Sequence, residues 1–138
     1  MPWFPEFASA AELSRSQTRA AGRADPIRQY LTALSEGDAS ALETAWPGEV
    51  VIYDPLGGEV RGHRNVRQFI RRNVSWLAGV HARPEIMAST VVGDRAVVEL
   101  LAYLDHDGYE LGWPVAVVAE SPDDLSVVFR TYCSPWPR

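Results

Sequence analysis

Val50-Val51-Ile52-Tyr53-Asp54-Pro55-Leu56-Gly57-Gly58 is the stretch on which the reading of this chain turns. A β-branched run ends in a carboxylate and then breaks at Pro-Leu-Gly-Gly. Val, Ile and Tyr favour a half-buried pleated surface, so the run reads as a strand. Pro55 cannot donate to a ladder and biases Asp54 toward an extended conformation. Strand alternation then sets Val50, Ile52 and Asp54 on one face and Val51 and Tyr53 on the other. With the Ile52 face inward, a carboxyl reaches the rim of an apolar space. Asp before Pro also starts turns, capping backbone N–H groups with no catalytic role.

Working outward toward the N-terminus, Asp38 caps a short helix carrying Leu42, Ala45 and Trp46, which Pro47-Gly48 stops. Before it, Asp25-Pro26 pairs an N-cap with proline at the first helical position. Ile27, Tyr30, Leu31 and Leu34 share one face of that helix, and Gly37 closes it. Tyr30 therefore points inward, where a buried hydroxyl needs a partner: a backbone carbonyl, or a group in a pocket. Residues 1–24 read as an extension, a lid or a dimer arm. Ser9-Ala10-Ala11-Glu12 has capping-box spacing, which predicts a weakly amphipathic helix to Gly22.

Toward the C-terminus, a third helix runs from His63 to Ala78. Val66, Phe69, Ile70, Val74 and Leu77 form its inner stripe; Arg64, Arg67, Arg71 and Arg72 form a solvated outer side. His63 stands at its start, near the Asp54 loop. Four strands follow, over 81–92, 95–105, 109–120 and 125–133, punctuated by Gly93-Asp94, Asp105-His106-Asp107-Gly108 and Ser121-Pro122-Asp123-Asp124. Short turns imply an antiparallel meander. Helices first and sheet afterwards make the chain α+β, a curved antiparallel sheet wrapped over three helices. In the second of these strands Val98, Leu100, Ala102 and Leu104 form the core face, so Glu99 points outward, at a dimer contact.

Composition bounds the function. A chain of 138 residues with 46% hydrophobic content is one packed domain. A net charge of −5 argues against a nucleic-acid or anionic-membrane binder. The lone cysteine, Cys133, fits a reducing cytoplasm and permits no internal disulfide. The start lacks a secretory signal, and no apolar run approaches the roughly 20 residues that span a bilayer. His81, His106, Asp105 and Asp107 have no metal-ligand spacing and read as solvated turn, so no metal is expected. Neither a nucleotide-binding glycine loop nor a nucleophile elbow is present, and no cofactor is expected.

This order of elements resembles the SnoaL-like, NTF2-like cone fold, and within it the ketosteroid isomerases. Arg28-Gln29-Tyr30-Leu31-Thr32-Ala33-Leu34-Ser35-Glu36-Gly37-Asp38 resembles that family's first-helix motif, with Tyr30 as the oxyanion-hole tyrosine. Tyr53-Asp54-Pro55-Leu56-Gly57 resembles the segment bearing its general base, at Asp54. Phe69 stands in the place of a pocket phenylalanine. The likeness covers residues 25–133, with the domain itself taken as 25–138. One departure matters: where the isomerases carry a protonated aspartic acid, this chain has Ala116. Loss of one oxyanion donor typically costs on the order of 10² to 10³ in rate.

The resemblance implies a pocket walled by Leu34, Trp46, Ile52, Phe69, Val74, Leu100, Ala116, Val118 and Phe129, suited to a hydrophobic small molecule. The expected activity is a cofactor-independent isomerase or cyclase acting by proton abstraction α to a carbonyl on a steroid-like, terpenoid or polyketide substrate, with Asp54 as base and Tyr30 as hydrogen-bond donor. Epoxide opening is the enzymatic alternative and requires a second acid, for which Glu99 and Asp105 are the candidates. A non-catalytic small-molecule-binding or interaction domain is the third. A cytoplasmic homodimer through the outer sheet face is expected under each, because Val97, Leu101 and Tyr103 otherwise form an exposed apolar patch.

Overall fold

The computed structural model describes residues 25–134. The extension over 1–24, with its predicted helix, lies outside the described residues. Helix α1 (Pro26–Glu36) begins where the Asp25 carboxylate accepts the Arg28 N–H at 3.3 Å, and ends at Gly37 in the left-handed region, φ 70°. A Cβ on Gly37 would lie 2.8 Å from Val74 Cγ1, so both backbone and space there demand glycine. Asp38 Oδ1 accepts from the N–H and hydroxyl of Ser40, at 2.9 and 2.6 Å, in the turn before α2 (Ser40–Ala45), whose N-cap position is Ala39 and not the expected Asp38.

Strand β1 (Glu49–Asp54) turns through Pro55–Gly57 into β2 (Gly58–Arg61), with Asp54 opposite Gly58. Strand β2 gives no periodic signal in the sequence, because its four residues carry one buried apolar side chain, Val60. Helix α3 (His63–Gly79) buries Val66, Phe69 and Ile70 against the sheet. The meander follows as β3 (Arg83–Val92), β4 (Arg95–His106), β5 (Tyr109–Asp123) and β6 (Ser126–Cys133).

The six strands form one curved sheet in the order β2-β1-β6-β5-β4-β3. The expected all-antiparallel sheet is corrected at one seam: β1 and β6 run parallel, with Ile52 beside Phe129. The chain crosses by way of α3 to the far edge, and the meander then brings β6 back alongside β1. The core lies between the helices and the inner sheet face. There Phe129 stacks under Tyr30, with ring centroids 4.5 Å apart, and meets the edge of Trp46 at 5.8 Å. Val98, Leu100 and Leu104 are buried on the inner face of β4, and Glu99 is exposed.

Candidate active site

A cavity of about 860 Å³ opens between α1, α3 and the inner sheet face. That is within the roughly 300–1,000 Å³ usual for small-molecule sites. Each element contributes for a local reason. Periodicity on α1 turns Tyr30, Leu31 and Leu34 toward it, and α3 contributes Phe69, Val74 and Leu77. The pleat of β1 delivers Asp54, and Leu100, Val115, Val117, Thr131 and Cys133 come from β4, β5 and β6.

Asp54 is half-buried at the end of β1. Its Oδ2 accepts the N–H groups of Leu56 and Gly57 at 3.0 and 2.7 Å. The turn-capping role and the cavity position therefore coexist on one side chain, and the two backbone bonds fix the carboxylate's direction. A Cβ on Gly57 would lie 3.3 Å from Oδ2 and 3.7 Å from the Phe69 ring, so the turn closes over both.

Tyr30 is 2% exposed. Burial, reinforced by the charge of Asp54 and opposed by a hydrogen bond with the Thr131 side chain, raises its pKa far above the ordinary tyrosine value. The phenol is thus held as a neutral donor beside a carboxylate. Thr131 adds a second hydroxyl at this end of the cavity. Burial and then Asp54 also push the Cys133 thiol up, so one negative centre acts on two neighbouring acids.

Of the wall residues expected from the sequence, Leu34, Phe69, Val74 and Leu100 line the cavity together with Tyr30 and Asp54. Trp46, Ile52 and Phe129 do not: all three are fully buried, filling the core behind the cavity. Ile52 shares Asp54's face but sits one pleat deeper, and Phe129 is covered by the Tyr30 ring. Ala116 and Val118 are corrected to the outer face. The register pairs Leu100 with Val115 and Val98 with Val117, so the odd-numbered residues of β5 point inward. An unbroken Val-Ala-Val-Val-Ala run gives no polar alternation from which to choose its phase. Arg130 projects outward over Tyr53, at 5.6 Å from the ring centroid, and that alternation sets Thr131 inward, a signal present in the sequence.

Asp54 is the sole carboxylate among the described lining residues; neither Glu99 nor Asp105 lines the cavity. The outer side of α3 is solvated as expected, with Arg64, Arg67, Arg71 and Arg72 all exposed. Arg67 pairs with Glu43 at 2.5 Å, and Arg72 also lines the cavity rim. His63 Nε2 lies 3.1 Å from the Pro47 carbonyl and away from the Asp54 loop.

Residues 27–129 match the SnoaL-like domain. The chain belongs to that family. This SnoaL-like domain is similar in fold to several solved structures. A putative polyketide cyclase from Sinorhizobium meliloti is 20% identical with a TM-score of 0.54, over 76% of this chain and 93% of that one. An LEH-like epoxide hydrolase of M. tuberculosis is 23% identical with a TM-score of 0.55, over 78% and 79%. SalBIII, an epoxide hydrolase/cyclase-like enzyme of pyran ring formation in polyether salinomycin, is 17% identical with a TM-score of 0.60, over 86% and 95%. At these identities the likeness establishes the fold. No curated protein sequence matches this SnoaL-like domain.

Proposed function

We propose that the protein is a cofactor-independent isomerase or cyclase that removes a proton α to a carbonyl of a hydrophobic steroid-like, terpenoid or polyketide substrate. The observation that carries this reading is the meeting of one oriented carboxylate and one buried neutral phenol in an apolar cavity. Asp54 takes the proton, and Tyr30 donates a hydrogen bond to the oxygen on which enolate charge develops. Tyr30 suits that role because its own proton is strongly retained. Thr131 hydrogen-bonds the Tyr30 side chain, whereas the resembling isomerases set an aspartic acid beside their tyrosine as a second donor. The segments around Tyr30 and Asp54 resemble ketosteroid isomerases, which supports the assignment of roles.

Epoxide opening is less favoured, since a second acid in the cavity is wanting among the described residues. Binding without catalysis gains support from the backbone bonds to Asp54 Oδ2, yet these also serve to aim a base. The reading includes a homodimer through the outer sheet face, where Val97, Leu101 and Tyr103 are partly exposed. No described helix is long and apolar enough to cross a membrane.

The test is conversion of a β,γ-unsaturated ketosteroid to its conjugated isomer, followed by the enone absorbance. Wild-type turnover that disappears in Asp54→Asn is expected. Equal turnover in that variant would remove Asp54 from the mechanism.

A further inference from the structure

The cavity has a second polar end that the proposed chemistry does not use. Helix α3 runs along it from Phe69, beside the Asp54 turn, to Gly79, a rise of about 15 Å at 1.5 Å per residue. Beyond that terminus the turn carries His81, Ala82 and Arg83 to the cavity rim. His81 has φ 52°, one of two non-glycine residues in the left-handed region among those described. A backbone held there needs support from its surroundings.

That support is present. Arg83 Nη1 donates to the His81 carbonyl at 2.6 Å, and the Asp105 N–H donates to the Val80 carbonyl at 2.8 Å. The side chain, 71% exposed at the mouth of the cavity, is turned by a single contact: His81 Nδ1 lies 3.0 Å from Asp105 Oδ2. Asp105 Oδ1 is 3.5 Å from Arg83 Nη2, which also reaches Glu110 at 2.5 Å. A carboxylate on Nδ1 sets the ring's orientation and leaves Nε2 as its available nitrogen.

We propose that His81, positioned by Asp105, forms a polar subsite for a substrate hydroxyl remote from the reacting carbonyl. A hydroxyl is the matching group because it can donate to a bare Nε2 or accept from a protonated one, so either charge state of the ring is met. The substrate class is thereby narrowed to elongated apolar molecules oxygenated at both ends. This rests on the proposed reading of the cavity, with the carbonyl at the Tyr30 end.

The experiment compares binding of two steroid enones to the full chain by calorimetry. One carries a hydroxyl on the ring farthest from the carbonyl, and its counterpart lacks that oxygen. Wild type is expected to prefer the hydroxylated steroid by roughly threefold to tenfold, the worth of one net hydrogen bond. His81→Gly, whose backbone accepts φ 52° without strain, should bind both equally and keep its thermal midpoint. Asp105→Asn should narrow the preference while leaving affinity for the deoxygenated steroid unchanged, an effect that a merely structural role would not produce. Equal binding of the pair by wild type, or a preference that survives in His81→Gly, overturns the subsite alone. Failure of both steroids to bind overturns the subsite together with the ligand class on which it stands.

Discussion

Asparagine at position 54 keeps an oxygen able to accept the Leu56 and Gly57 N–H groups, so the turn survives while the base is lost. Asp54→Asn is therefore expected to retain its thermal midpoint and to lose roughly 10²- to 10⁴-fold in turnover, the usual share of a general base. Tyr30→Phe should cost about 10² to 10³ in turnover with substrate affinity little changed. Tyr30 also makes a prediction about stability. Its folded pKa is raised above the ordinary value of about 10, chiefly by burial, so its contribution is fully present below that pH. As pH rises above about 10, the unfolded chain ionises first, and stability falls until the folded phenol also ionises. Denaturant midpoints measured against pH should fall in this range for wild type, and less steeply for Tyr30→Phe. Equal slopes would show that the buried phenol is not the group responsible.

At the scale of elements, the pleat of β5 decides which side chains meet a ligand. Val115 faces inward and is registered opposite Cys133, the chain's one cysteine, whereas Ala116 faces outward. Val115→Phe should shield Cys133 from alkylation and weaken ligand binding at least tenfold, at a cost of about 1–3 kcal/mol in overpacking. Ala116→Phe should leave Cys133 reactivity unchanged. The reverse pattern would mean that the strand's phase is wrong. This is also where the sequence was hardest to read. The helix faces of α1 and α3 were legible because polar residues alternate with apolar ones at helical spacing, and the β1 face because Asp54 follows Ile52 by two. β5 is apolar on both faces through its centre, so its phase is set only by pairing with β4 and β6. Trp46 and Phe129 were recognisable as interior, but nothing local separates a residue that lines a cavity from one that fills the core behind it. The parallel seam between β1 and β6 joins segments more than seventy residues apart, beyond the reach of any local pattern. His81 lay hidden for the same reason, since its partner Asp105 belongs to a later strand.

For the whole molecule, the proposed dimer predicts elution at twice the chain mass of 15.3 kDa. Leu101→Glu on the outer face should shift it to the monomer position while sparing the cavity, because Leu101 is not among its lining residues. Elution of wild type as a monomer would leave the outer apolar face without that partner. The fold admits several chemistries, and identity below 25% to its structural neighbours chooses none of them. Choosing requires a readout of proton abstraction that does not depend on knowing the natural product. Incorporation of deuterium from D₂O at the α-carbon of a hydrophobic cyclic ketone, followed by NMR, supplies it. Exchange accelerated by wild type and returned to the uncatalysed rate by Asp54→Asn is the predicted result; exchange that proceeds equally with Asn at position 54 would contradict the account.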